Sequence, residues 1–200
     1  MAARYLPYTN LLGAGSRILV LAAKGAEAVS ETRTLKESME RVMQHYRDHP
    51  EKAVGSDKEA IAVIEHGLRV RATGPDGQVL VCDMPAALGG GASAPTPGWC
   101  LRAALANCEA VMLAMGAALR GIELKTCEVR VDSISDDRGM LSSEASIPAG
   151  PLNMKISIRL GSQGVPAEAL RELAAWAQLH SPVGEPLTRV MPVEHALEIL

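Results

Sequence analysis

Residues 88–121, LGGGASAPTPGWCLRAALANCEAVMLAMGAALRG, decide how this chain folds. A glycine loop, Gly89 to Gly91, feeds a segment that is apolar on nearly every side. Such a helix belongs at the centre of a fold rather than on its surface. Thr96 predicts its cap, Pro97 its first position and Gly121 a left-handed end. Small residues, among them Ala103, Ala106, Gly116 and Ala117, predict a closely packed second helix from the same chain or another subunit. In the middle stands one thiol, Cys108, either inert core filling or the reactive atom of a buried site. The glycine loop has neither a GxGxxG pattern nor a P-loop Lys and Ser/Thr, so a tight connection is expected there rather than a phosphate cradle.

Upstream, Tyr5, Leu6, Leu11 and Leu12 offer apolar anchors in an extension of about 55 residues. Leu35, Met39, Val42, Met43 and Tyr46 recur at helical spacing and predict an amphipathic helix over 30–49, ended by Pro50. His45 and His49 on it could face one metal, but no third ligand is placed nearby and a solvated helix end is expected. Residues 60–73 and 78–82 read as two strands of a hairpin about the GPDG turn, with Cys82 as a small buried hydrophobe.

Downstream of the central helix, residues 122–134 read as a long strand, with Cys127, Val129 and Val131 on one face. The DDRG turn at Asp136 follows. Met154, Ile156, Ile158 and Leu160 then alternate as a half-buried strand. Pro166 opens a helix carrying Leu170, Leu173, Trp176, Ala177 and Leu179, and Ser181-Pro182 breaks it and caps a further turn. Hairpin, helix, strands and helix in that order make an α+β chain.

Composition narrows the function. With no Phe, two Trp and three Tyr, the core must be built from aliphatic residues and nine Met. A net charge of −3 without a basic run argues against nucleic acid as a partner. The four cysteines form no CxxC and no disulfide framework, so a reducing cytoplasm is expected, with no bound metal or cofactor. The apolar run over 11–23 is broken by Arg17; it is too short and too charged to span a bilayer, and no signal-peptide cleavage site follows it. No membrane partner is expected.

VCDMPAALGGG, PTPGWCLRAALANCEAVMLAM, GIEL with VRVDSI, DDRGML and LHSPVGEPL, taken in order, resemble the OsmC/organic hydroperoxide resistance family over about residues 60–190. The resemblance divides the chain into an N-terminal extension, 1–55, and an OsmC-like domain, 56–200. It implies antiparallel sheets wrapped around long central helices in an intertwined homodimer, with a site at the subunit interface. There a central-helix cysteine reduces an organic hydroperoxide, and a second cysteine, in a CP pair after the last long helix, closes a disulfide. The resemblance also implies that an arginine and, in the peroxide-reducing branch, a glutamate at the start of the central helix hold the thiolate.

Carried over by position, Cys108 is the reactive cysteine. The CP pair is Ser181-Pro182 here, and Gly98 and Trp99 stand where the glutamate is expected. Arg69 and Arg71 are candidates for the arginine. Cys100 cannot replace the missing sulfur within its own helix. Eight residues span about 12 Å, whereas a disulfide needs Cα atoms within roughly 7 Å. Pairing with Cys82, Cys100 or Cys127 of a second subunit stays open. Cys108 lies too deep in the helix for the dipole to help, so only a nearby cation would activate it. Two readings follow, both stress- and redox-related. One is a non-peroxidatic scaffold whose interface pocket around Cys108 binds a small apolar or thiol-reactive ligand. The other is a single-cysteine peroxidase in which a thiol reductant regenerates Cys108 from its sulfenic acid.

Overall fold

The computed structural model describes residues 14–141 and 146–200, with side chains described from residue 31 onward. The anchors Tyr5, Leu6, Leu11 and Leu12 lie outside the described residues. Helix α1 (Ala14–Asp48) starts well before the expected residue 30. The intervening sequence holds five Ala and two Leu, strong helix formers that carry one helix across both the apolar run and the charged stretch. It stops before Pro50 as expected.

Three strands, not two, follow: β1 (Ile61–His66), β2 (Arg69–Thr73) and β3 (Val79–Cys82). They form an antiparallel meander in chain order. A tight turn at Gly67-Leu68 divides the first expected strand, and the GPDG turn joins β2 to β3. Paired residues of an antiparallel ladder share a face. One face therefore carries Ala62, Ile64, Val70, Ala72, Leu80 and Cys82, while the other mixes Ile61, Val63, Val79 and Val81 with Arg71 and Thr73.

Helix α2 (Pro97–Leu119) has the expected ends: Thr96 Oγ1 accepts the Trp99 N–H at 3.2 Å, and Gly121 adopts φ +67°. By length and composition α2 could cross a membrane, a test that a core helix also passes. Here it lies against the hairpin of β4 (Leu124–Ser135) and β5 (Pro151–Ser162), and against α4 (Ala167–Leu179). The DDRG segment passes into a single helical turn, α3 (Arg138–Leu141).

The core is where these elements meet. Met112, Leu113, Ala117, Ile122, Leu173 and Ala177 are buried together, with Val129, Ile158, Leu160 and Trp176 packed around them. The alternation expected of β5 is present, whereas Cys127 is exposed and Leu179 points out of the core. Gly116 explains the close helix pair: a Cβ there would sit 2.5 Å from the Trp176 ring and 2.8 Å from Leu173. The helix expected to approach the small-residue stripe is thus α4 of the same chain. Arg120 covers the other side of Trp176, with its guanidinium 5.1 Å from the ring centroid.

Candidate functional site

Cys108 is half-buried on the core side of α2. Its hydrogen-bond partner comes from the far end of the chain: Ser181 Oγ–H donates to Cys108 Sγ at 3.2 Å. Ser181 is fully buried, and its hydroxyl is fixed from behind by the Gly184 N–H at 3.0 Å. This is the cap expected of Ser181, formed where α4 ends at Leu179 and Pro182 turns the chain. A backbone amide thus orients a hydroxyl whose proton faces sulfur, a neutral donor for a thiolate.

The third group is acidic. Glu109 is 1% exposed and its Oε2 has no hydrogen-bond partner among the described residues. A Cβ on Gly184 would lie 2.9 Å from Ser181 Oγ and 3.0 Å from Glu109 Oε1, so the acid borders the same small space. A buried carboxylate oxygen without a donor is costly. The site therefore lacks a donor or cation on this side. Position alone was enough to suspect Glu109, because an acid in a helix apolar on every face has no solvent side to occupy.

The cations expected nearby are engaged elsewhere. Arg69 bonds Glu65 at 2.8 Å and Ser93 Oγ at 2.6 Å, and Arg71 bonds Glu65 at 2.5 Å. Neither is a hydrogen-bond partner of Cys108. On α2 itself, Arg102 donates to Ser133 at 3.1 Å and Arg120 to the Gly116 carbonyl at 2.9 Å. Gly98 and Trp99 occupy the exposed first turn and bring no carboxylate. A largely apolar cleft of about 450 Å³ opens between α2 and β5; Cys108 does not line it. Leu101, Leu105, Met154, Ile156, Leu187 and Gly184 line it, and Gly184 is also the residue holding Ser181.

The glycine loop is filled by its own chain. Asp83, 1% exposed, accepts from the Ser93 hydroxyl at 2.7 Å and from the N–H groups of Ser93, Met84 and Gly91 at 3.0, 2.8 and 3.3 Å. These bonds, the Ser93 hydroxyl foremost, hold its carboxyl well below the usual carboxylate range. The tight connection expected here is what the chain forms. A carboxyl lowered on folding stabilises the native state above its unfolded value, near pH 4, and that contribution fades as pH falls through the folded value. We expect the urea midpoint of the native chain to drop between pH 5 and pH 2.5. An Asp83→Asn variant should start lower at pH 7 and drop less, as followed by circular dichroism; parallel curves would contradict the assignment.

Among the described residues no cluster of three or more His, Cys, Asp or Glu is placed to hold a metal. His45 and His49 lie with ring centroids 4.9 Å apart, and His49 faces Glu51. Cys82, expected as plain core filling, is half-buried with its sulfur 3.5 Å from that of Cys100.

The family described as OsmC-like protein matches residues 89–196. Among solved structures, the chain is similar to an OsmC-like protein from Mycoplasma pneumoniae. The identity is 15% and the TM-score 0.57, over 68% of this chain and 91% of that one. An OsmC-like protein of unknown function from Vibrio cholerae is 10% identical with a TM-score of 0.54, over 66% and 93% of the two chains. An organic hydroperoxide resistance protein from Elizabethkingia anophelis is 17% identical with a TM-score of 0.50, over 68% and 91%. At these identities the likeness is one of fold. A search of curated proteins gave no match.

Proposed function

The chain belongs to the OsmC-like protein family, and we propose that it works as a stress- and redox-related homodimeric scaffold. Its cleft between α2 and β5, joined to the Cys108 site through Gly184, takes a small apolar or thiol-reactive ligand without running a two-cysteine peroxidase cycle. The observation that carries this reading is Ser181 Oγ, an oxygen, 3.2 Å from Cys108 Sγ. In a two-cysteine cycle the thiolate attacks the distal peroxide oxygen and the O–O bond breaks, leaving a sulfenic acid and an alcohol. A second thiol then attacks the sulfenic sulfur, forming a disulfide and releasing water. A hydroxyl cannot take that second step. The nearby acid, Glu109, adds no activation to the thiol, whereas the apolar cleft at Leu101 and Leu105 suits a carbon-rich ligand.

The dimer is part of the proposal. Strands β1 to β3 touch the rest of their own chain little, yet leave Ile64 67% and Leu80 50% exposed on one apolar face. A three-stranded sheet needs such a face covered to be stable, and a second copy would cover it.

A second reading has its own support. Cys108 is only half-buried and receives a hydrogen bond, so a peroxide could reach it. An external thiol would then form a mixed disulfide with the sulfenic acid, releasing water, and a second thiol would regenerate Cys108. One experiment separates the two. With cumene hydroperoxide and dithiothreitol, native protein and Cys108→Ser should consume peroxide at the same rate. N-phenylmaleimide should modify Cys108 faster than N-ethylmaleimide, whose substituent fills less of the cleft. A rate at least tenfold higher in the native protein would overturn the scaffold reading in favour of the peroxidase, and equal maleimide rates would remove the ligand cleft.

A further inference from the structure

Cys82 ends strand β3 and Cys100 lies in the first turn of α2, yet their sulfur atoms are 3.5 Å apart. Neither belongs to the Cys108 site. Cys100 precedes Cys108 by eight residues on one helix, a rise of about 12 Å. The segment joining the two thiols is already folded back on itself. The Asp83 N–H donates to the Pro95 carbonyl at 3.1 Å, and the Asp83 carboxylate collects Ser93, Gly91 and Met84. The backbone beside each sulfur is therefore held in place before any bond forms between them, and little ordering entropy remains to be lost.

We propose that Cys82 and Cys100 form a second thiol site, a reversible dithiol/disulfide pair that fastens β3 to the start of α2. The oxidant is a low-molecular-weight disulfide. One protein thiolate attacks a sulfur of the small disulfide, breaking its S–S bond and releasing one small thiol. The other protein thiol, losing its proton to solvent, attacks the protein sulfur of the mixed disulfide and expels the second small thiol. Two electrons pass from the cysteine pair to the small disulfide, and two protons end on the released thiols. An approach lies along the helix start, where Pro97, Gly98 and Trp99 are exposed. Burial, with the neighbouring Cys82 sulfur adding to it, pushes the Cys100 thiol up. That disfavours its anion but not a neutral disulfide, so exchange is slow and its product is retained. At 3.5 Å the two sulfur atoms have about 1.5 Å to close to reach the ~2.05 Å of a disulfide.

The test incubates the full native chain with oxidised glutathione, quenches it with acid, counts thiols and maps cross-linked peptides by mass spectrometry. The free-thiol count should fall from four to two, with one peptide linking residues 82 and 100. Dithiothreitol should reverse it. Thermal unfolding of the oxidised chain should shift upward by about 5 °C or more, because the bond closes a loop in the unfolded state. Cys82→Ser and Cys100→Ser should each lose the link and the shift, with glutathione retained on the remaining cysteine. Four surviving thiols, or links that run through Cys108 or Cys127 instead, would overturn the proposal. The result is independent of hydroperoxide turnover, so it stands or falls apart from the reading of Cys108.

Discussion

A Ser181→Cys variant is expected to close a disulfide with Cys108 under excess cumene hydroperoxide, capturing the sulfenic acid roughly a hundredfold faster than millimolar external thiol does in the native chain, while peroxide attack on Cys108 stays as slow as in the native chain. The hydroxyl already lies 3.2 Å from the Cys108 sulfur, so the introduced thiol would attack a sulfenic acid intramolecularly. A well-placed neighbour acts at an effective concentration far above that of millimolar reductant. The site resists in two ways. Ser181 is fully buried and Gly184 stands against it, so the larger sulfur costs about 1 kcal/mol or more in packing. The Gly184 N–H also exchanges a good acceptor for a weak one. Both costs are modest beside the change in chemistry from oxygen to sulfur. Peptide mapping should find the new bond between positions 108 and 181, and consumption should be followed with dithiothreitol present. A variant that keeps both thiols after peroxide would show that the Ser181 contact is not a place where a second sulfur can act.

What could be read from the sequence was local, and what could not was set by contacts across the chain. The ends of α2 were legible because Thr96, Pro97 and Gly121 act within one turn of themselves. The small-residue stripe predicted a close helix, but only tertiary packing says that Trp176 and Leu173 of α4 lie over Gly116. The split between β1 and β2 was obscured because one glycine, Gly67, interrupts a run of otherwise strand-like residues. At the site, Cys108 and Ser181 are 73 residues apart, and only the family resemblance joined them. The Cys82–Cys100 contact depends on how residues 83–96 fold back around Asp83, which no periodicity reports. Glu109 was visible as a neighbour of the thiol; its burial beside Ser181 was not.

The largest physical effect should come from the sheet rather than the thiol: Ile64→Asp with Leu80→Asp is expected to raise the dimer dissociation constant at least about a thousandfold, or roughly 4 kcal/mol. Both side chains lie on the apolar face of β1 to β3 and are the two most exposed large hydrophobics there. Each substitution forfeits about 2 kcal/mol of apolar burial and puts a charge in a contact that has no partner for it. In a two-fold dimer each loss counts twice, so the thousandfold change is a lower bound. Sedimentation equilibrium should find the native protein at twice the 21.1 kDa chain mass and the double variant at the mass of one chain. Val63→Asp is the control, because its side chain shares the opposite face with Arg71 and should leave the mass unchanged. A native protein that sediments as one chain would remove the dimer, and a double variant of unchanged mass would move the interface elsewhere.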